Sequence, residues 1–95
     1  MSKSVRRVTR VLQEAGLDAV PVEIGDATTA RMAADLLGCD VAQIAKSVML
    51  RGIASGDAVL FVTSGAARVD DARAAKVAGE ALGKADAALI RAQTG

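Results

Sequence analysis

The first apolar pattern in the chain has the period of a helix. Apolar side chains recur every three or four residues from Val5 to Ala15, and charged residues fill the positions between them. This spacing predicts an amphipathic helix over about Ser4–Ala15, with Ser4 as the N-cap. Gly16 suits the left-handed conformation that commonly follows a helix end.

The pattern then changes to a period of two. Residues 20–24 alternate apolar and polar side chains, which predicts a half-buried strand. Because Pro21 lacks the N–H that a central strand needs, we expect this strand at a sheet edge or the proline at a strand start. Thr28 or Thr29 then caps a second helix that runs to about Leu37.

Two further strands form a predicted hairpin. Residues Ala45–Arg51 alternate between the two faces of a strand, and Ala58–Thr63 is a continuous apolar run. The segment Gly52–Asp57 between them has the glycine and aspartate content of a loop. Because a continuous apolar run is typical of a strand that is covered on both faces, we expect the second strand to be central.

The remainder of the chain is predicted to be helical. A third helix is expected from Asp70 or Asp71 to about Leu82, interrupted at Gly79, and a short fourth one from Asp86 through Gln93. The predicted order is therefore α-β-α-β-β-α-α, which defines an α/β (mixed α+β) fold with a mixed sheet flanked by helices. Three strands leave both edges of a sheet open, so we expect further chain to cover or extend it.

Composition limits the classes of function. Ninety-five residues make one domain, and its hydrophobic residues, 52% of the chain, are mostly small, with one Phe and no Trp or Tyr. We therefore expect a modest core of marginal stability.

One cysteine rules out an intramolecular disulfide, and no apolar run reaches the ~18 residues of a membrane span, so the cytoplasm is the expected location, without a membrane partner. The absence of histidine excludes histidine-based acid–base chemistry and, with a single cysteine, an ordinary zinc site.

The charges are unevenly distributed although the net charge is only +1. Lys3, Arg6, Arg7 and Arg10 all precede the first acidic residue, Glu14. Such a cluster is either the solvated face of a surface helix or a contact for phosphate groups. Arg6, Arg7 and Arg10 are therefore candidate contacts for nucleic acid.

Lys46 is the least expected residue of the predicted sheet. Alternation places it on the same face as Val48 and Leu50, where apolar side chains are expected. Its ammonium either serves a polar pocket as a point charge for a phosphate or an oxyanion, or reaches water along the sheet rim. Ser47 points to the other face unless a twist or bulge brings both side chains together, and a Ser–Lys catalytic pair would need Lys46 as a neutral base.

Three other side chains have two interpretations each. Thr28 and Thr29 lie at a helix N-terminus, where they can cap the helix or help to bind an anion. Cys39 is either a small packing residue or a free thiol. The residues alone therefore predict a small cytoplasmic α/β module with one unusual lysine, and they do not specify a reaction.

The stretch Gly38–Leu50 resembles the signature of the YbaK/ProX family of aminoacyl-tRNA editing domains. In that signature a glycine and a spacer precede Gln-Ile, matched by Gln43 and Ile44, and a Lys-Ser or Lys-Thr pair, matched by Lys46 and Ser47, leads into a hydrophobic strand. The resemblance extends over essentially all 95 residues, including the capped alanine-rich helix before the signature and the hydrophobic strand after it.

The resemblance implies a hydrolase that removes the amino acid from mischarged tRNA, typically tRNA for proline, without a metal, another cofactor or a protein nucleophile. Lys46 would lie near the terminal adenosine and its phosphate, and Ser47 would match the neighbouring hydroxyl residue of the pocket. The implied partners are the mischarged tRNA and prolyl-tRNA synthetase, since family members are free-standing or inserted in that enzyme.

Members of the family continue past the position of Gly95 with a glycine-rich loop that belongs to the pocket. We therefore expect residues 1–95 to be the N-terminal part of a single editing domain, and a polypeptide of these residues to have little deacylase activity. The alternatives are a non-catalytic module that binds tRNA or a synthetase, and a structural domain. The exposed sheet edges offer a route to a dimer, and the oligomeric state stays open.

Overall fold

The computed structural model describes residues 2–95 as four helices, one 3₁₀ turn and a three-stranded sheet. The mixed α+β class predicted from the sequence is confirmed. In chain order the elements are α1 (Lys3–Glu14), α2 (Ala30–Leu37), the 3₁₀ turn (Val41–Gln43), β1 (Ala45–Gly52), β2 (Ala58–Ser64), α3 (Asp71–Ala78), β3 (Leu82–Lys84) and α4 (Ala87–Thr94).

The predicted mixed sheet is wrong for residues 2–95, because both strand pairs are antiparallel, in the order β2-β1-β3. The hairpin of β1 and β2 runs in unbroken register from the pair Ala45–Ser64 to the pair Arg51–Ala58. The predicted hairpin is confirmed, but its predicted centre is wrong, because β3 pairs with the far side of β1 and makes β1 the central strand. Within residues 2–95, β2 is an edge strand.

The predicted third helix is too long. Helix α3 ends at Gly79, which adopts φ +79° as the left-handed C-cap. The chain then reverses and Leu82 enters β3 beside Gly52. Gly79 therefore ends the helix before Leu82, although the apolar spacing continues, and Leu82 belongs to a short strand.

The strand predicted over residues 20–24 does not form. Val20 and Val22 are 74% and 73% exposed. A strand needs a neighbour for its backbone hydrogen bonds, and none of the described strands lies beside this segment. The element order is therefore α-α-β-β-α-β-α instead of α-β-α-β-β-α-α.

The helix caps follow the sequence closely, with one correction. Thr29, Asp70 and Asp86 cap α2, α3 and α4, each accepting a hydrogen bond from a backbone N–H of the first turn. The predicted N-cap Ser4 lies inside α1, and Ser2 caps that helix by accepting a bond of 3.1 Å from the N–H of Val5. Ser2 and Ser4 have the same local chemistry. Ser2 takes the role because it lies three positions before the Val5 N–H, which is free to bond to it.

The expectation of a modest core is confirmed. Among residues 2–95 the buried apolar side chains are Ala34 and Ala74, at 2% and 3% exposure. The Cα radius of gyration is 15.4 Å, larger than the ~13 Å of a compact domain of about 100 residues. Helices and sheet therefore surround a thin interior. No helix within these residues has the length and apolar character required to cross a membrane.

A single carboxylate fixes the loop of the hairpin. Glu80, just after α3, accepts bonds of 3.0 and 2.9 Å from the N–H groups of Ala54 and Ser55 through its Oε1 atom. The backbone N–H of Ser55, followed by its hydroxyl, lowers the pKa of Glu80 below its ordinary value of 4.5. A Cβ on Gly52, the last residue of β1, would overlap this carboxylate and displace it from the loop.

Candidate functional site

Lys46 lies on the better covered face of the sheet. It shares that face with Val48 and Leu50, and its cross-strand partner on β2 is Thr63. Lys46, Val48 and Thr63 are all half-buried, whereas Leu60 and Val62 on the other face of β2 are 54% and 68% exposed. The lysine is therefore where the sequence pattern places it, among apolar neighbours.

Ser47 lies on the opposite face from Lys46. The β1–β2 register passes through both residues without a bulge, and Ser47 pairs with the exposed Val62. The side chain of Ser47 is itself exposed. The two side chains therefore do not meet at one pocket in this arrangement.

The 3₁₀ turn fixes the end of the sheet at which Lys46 lies. Asp40 and Gln43 form a reciprocal capping box, with bonds of 2.9 Å from the Ala42 N–H to Asp40 and 3.0 Å from the Asp40 N–H to Gln43. The Ser64 hydroxyl donates to the Ala42 carbonyl at 2.8 Å. The end of β2 is thus tied to the turn that precedes β1.

Gly65 brings the N-terminus of α2 to this end of the sheet. Its N–H donates to the Ile44 carbonyl, and a Cβ built on it would lie 2.6 Å from the Val41 carbonyl oxygen and 2.8 Å from the Ala30 Cβ. Ala30 is the first residue of α2. A glycine is therefore required for the helix N-terminus to approach the Lys46 end of the sheet so closely.

Thr28 and Thr29 lie at that N-terminus, exposed, with both hydroxyls engaged locally. The Thr29 hydroxyl accepts a bond of 3.1 Å from the Met32 N–H, which is the capping interpretation of this residue. The Thr28 hydroxyl donates to the Met32 sulfur at 3.3 Å. Cys39, just past the other end of α2, is a half-buried free thiol.

A concave surface adjoins the Lys46 end of the sheet. The β2–α3 cleft, as we name it, has a volume of about 290 Å³ between the last residues of β2 and helix α3. Its lining includes Thr63, the partner of Lys46, together with two arginines and one aspartate. The residues that define it here are Phe61, Thr63, Arg68, Asp70, Arg73 and Val77.

Sequence reasoning did not single out Arg68 and Arg73. The available signal was their spacing around the α3 cap Asp70, two residues before it and three after it. That spacing acquires meaning only when residues of α3 and β2 line one cleft, which no local pattern specifies.

The candidate nucleic-acid contacts form a continuous basic stripe on α1. Lys3, Arg6, Arg7 and Arg10 line a shallow depression of about 320 Å³. Arg7 also donates a bond of 2.9 Å to the Gly95 carbonyl at the end of α4. Lys3 and Arg6 lie in the first turn of α1, at the positive end of the helix dipole, where cations disfavour the helix.

Within residues 2–95, no group of three His, Cys, Asp or Glu side chains is positioned to hold a metal ion. The site thus comprises a half-buried lysine, a helix N-terminus and nearby arginines. These features define a class of protein, a mixed α+β domain with a lysine at one end of its sheet.

Comparison with known proteins specifies that class. The sequence profile of the aminoacyl-tRNA editing domain matches residues 25–95. This chain therefore belongs to the family of aminoacyl-tRNA editing domains, and its fold is that of a YbaK-like editing domain.

Two solved structures resemble the chain closely. One, assigned as a trans-editing enzyme for prolyl-tRNA synthetase, is 36% identical over 96% of this chain, with a TM-score of 0.84. The other, from work on epitope backbone grafting onto scaffold proteins by computational design, is 37% identical over 95% of this chain, with a TM-score of 0.82. The chain spans 58% of the length of each. A search of curated proteins found no match.

Proposed function

We propose that this chain contributes the lysine-bearing part of an aminoacyl-tRNA deacylase, which hydrolyses the ester between a wrongly attached amino acid and tRNA. The observation that supports this most directly is the placement of Lys46, half-buried on the covered face of the central strand, where the N-terminus of α2 approaches the sheet. The family and the trans-editing relative supply the reaction class.

The chemistry is compatible with the residues present. Water attacks the ester carbonyl, the bond from carbonyl carbon to ribose oxygen breaks, and a proton of the water passes to the departing ribose oxygen, which becomes a hydroxyl. An aminoacyl ester is already activated, so positioning of water and stabilisation of the oxyanion lower the barrier without histidine. Lys46 would supply a positive charge for a terminal phosphate or for the oxyanion.

The remaining site residues have secondary roles in this proposal. Thr28 and Thr29 would border the substrate at the α2 N-terminus. Because the Ser47 side chain lies on the opposite face of β1 from Lys46, Ser47 would contribute only its backbone. No metal or other cofactor is invoked. The basic stripe on α1, with Arg6, Arg7 and Arg10, would contact tRNA phosphates.

The biological need for such a hydrolase is a limit on selectivity. A synthetase pocket rejects an amino acid that differs by one methylene by only about 10–200-fold, so a second site must remove the errors. By analogy with the trans-editing relative, we propose misacylated tRNA for proline as the substrate, prolyl-tRNA synthetase as the associated enzyme and the cytoplasm as the location.

The test is deacylation of a panel of mischarged tRNAs by the complete reading frame, comparing wild type with Lys46→Ala. Lys84→Ala is the matched control, because Lys84 lies on the same face at the other end of the sheet, as the partner of Leu50. We expect loss of activity for Lys46→Ala only, with unchanged far-UV circular dichroism. Ser47→Ala should retain activity.

Equal activity of the Lys46 and Lys84 variants would overturn the role of Lys46. The polypeptide of residues 1–95 should show little deacylation in the same assay, and robust turnover by it would contradict that expectation. If no tRNA is deacylated but salt-dependent binding persists, the alternative of a non-catalytic tRNA-binding module gains support, and the α1 basic stripe favours it.

A further inference from the structure

We propose that the β2–α3 cleft is a second, anion-binding subsite, in which Arg68 and Arg73 hold a phosphodiester of the single-stranded 3′ end of tRNA. This inference rests on the proposed function, because the ester at the same 3′ end is the bond to be hydrolysed at Lys46.

The charges of the cleft favour an anionic ligand. Arg68 and Arg73 are both exposed and both line the cleft. The carboxylate that lies between them in sequence, Asp70, is committed to helix capping and accepts a bond of 3.0 Å from the Arg73 N–H. Two arginines therefore line a cleft in which the one lining carboxylate is already hydrogen-bonded. Guanidinium is the side-chain group best matched to phosphate geometry.

The floor of the cleft suits a nucleobase. Phe61, the chain's one aromatic residue, contributes to it together with Val69, and both are half-buried. A volume of about 290 Å³ accommodates one base but not a folded duplex. Single-stranded nucleic acids are bound by this combination of an aromatic or apolar surface for the base and cations for the backbone.

The cleft and Lys46 are close enough to serve one ligand. Thr63 lines the cleft and lies directly across from Lys46, and such cross-strand partners have their Cβ atoms ~5 Å apart. In this proposal, a strand of nucleotides whose terminal ester lies at Lys46 extends past Thr63 and places a neighbouring phosphate at Arg68 and Arg73.

The experiment measures binding of uncharged tRNA to the complete reading frame, with Arg68→Gln and Arg73→Gln beside the control Arg51→Gln. Arg51 is exposed on the opposite face of β1. Two RNAs are compared, intact tRNA and the same tRNA with its unpaired 3′ nucleotides removed. For intact tRNA we expect each cleft variant to weaken binding about five- to tenfold and to reduce the slope of log K against log salt by roughly 0.7.

For the shortened tRNA, we expect the cleft variants to bind like Arg51→Gln. In deacylation assays the cleft variants should raise KM while kcat changes little, since the arginines act on binding. Equal affinity of all three variants for intact tRNA would overturn the inference, as would equal losses on intact and shortened tRNA. Because uncharged tRNA needs no hydrolysis, a failure of the proposed deacylase activity and a failure of this subsite give separate results.

Discussion

The substitution Gly65→Ala tests the construction of the Lys46 end of the sheet. Gly65 follows β2 and lies between the turn before β1 and the first residue of α2. A Cβ there would lie 2.6 Å from the Val41 carbonyl oxygen, and ordinary contact begins at 3.4 Å. One of the two elements must therefore recede by about 0.8 Å.

Neither neighbour can yield cheaply. The Val41 carbonyl belongs to the backbone, and the Ala30 Cβ, at 2.8 Å from the added atom, is fixed to helix α2. Overpacking of this kind costs about 1–3 kcal/mol, which in a domain of this size lowers the melting temperature by ~4–8 °C per kcal/mol. Because the displaced element is either α2 or the turn that leads into β1, we also expect weaker tRNA binding.

Urea titration followed by far-UV circular dichroism is the suitable assay, since the chain has no Trp or Tyr. Gly83→Ala is the matched control. Its Cβ would meet the Ile53 Cδ1 atom at 2.9 Å, and this atom is the mobile end of a side chain that can rotate away. We expect Gly83→Ala to change the free energy of unfolding by less than ~1 kcal/mol. If Gly65→Ala is as stable as Gly83→Ala, the close packing at Gly65 does not hold this end of the sheet.

Two further predictions concern hydrogen bonds. Thr29→Ala removes the N-cap of α2 and should cost about 1 kcal/mol in urea titration, whereas Thr28→Ala, which loses only a bond to sulfur, should cost less; equal losses would contradict the capping role. Glu80→Gln should lower the urea midpoint at neutral pH, because a neutral amide binds the loop N–H groups more weakly. Since the folded-state pKa of Glu80 is lowered, its stabilisation is present above its ordinary pKa of 4.5 and is lost as the pH falls through the folded-state value. The difference between wild type and Glu80→Gln should therefore shrink in acid, and a difference independent of pH would refute this assignment.

Local chemistry was sufficient to predict the features that depend on a few neighbouring residues. A cap at Thr28 or Thr29, of which Thr29 takes the role, and the left-handed glycine at position 16 follow from groups within one turn. The inward placement of Lys46 follows from period-two alternation, because β1 keeps an unbroken register with β2. These features required no knowledge of how distant parts of the chain pack.

Features that depend on packing between elements could not be read in the same way. Residues 20–24 have the alternation of a strand, but a strand also requires a partner. The apolar run of β2 suggested a central strand, yet β3 takes the far side of β1. The β2–α3 cleft escaped prediction for the same reason, since Phe61 and Arg73 line one cleft only in the folded chain.

The edge of β2 has a consequence for handling the polypeptide in solution. The Ala58 N–H, at the start of this strand, donates to the Gln93 side chain of α4 at 2.7 Å, so it points away from β1. By alternation the N–H groups of Leu60 and Val62 point the same way, and both side chains are more than half exposed. An uncharged edge of this kind recruits other strands and promotes aggregation during expression and concentration. A single lysine in place of Val62 would act as a gatekeeper against such recruitment, and it would raise the concentration at which the protein stays dispersed.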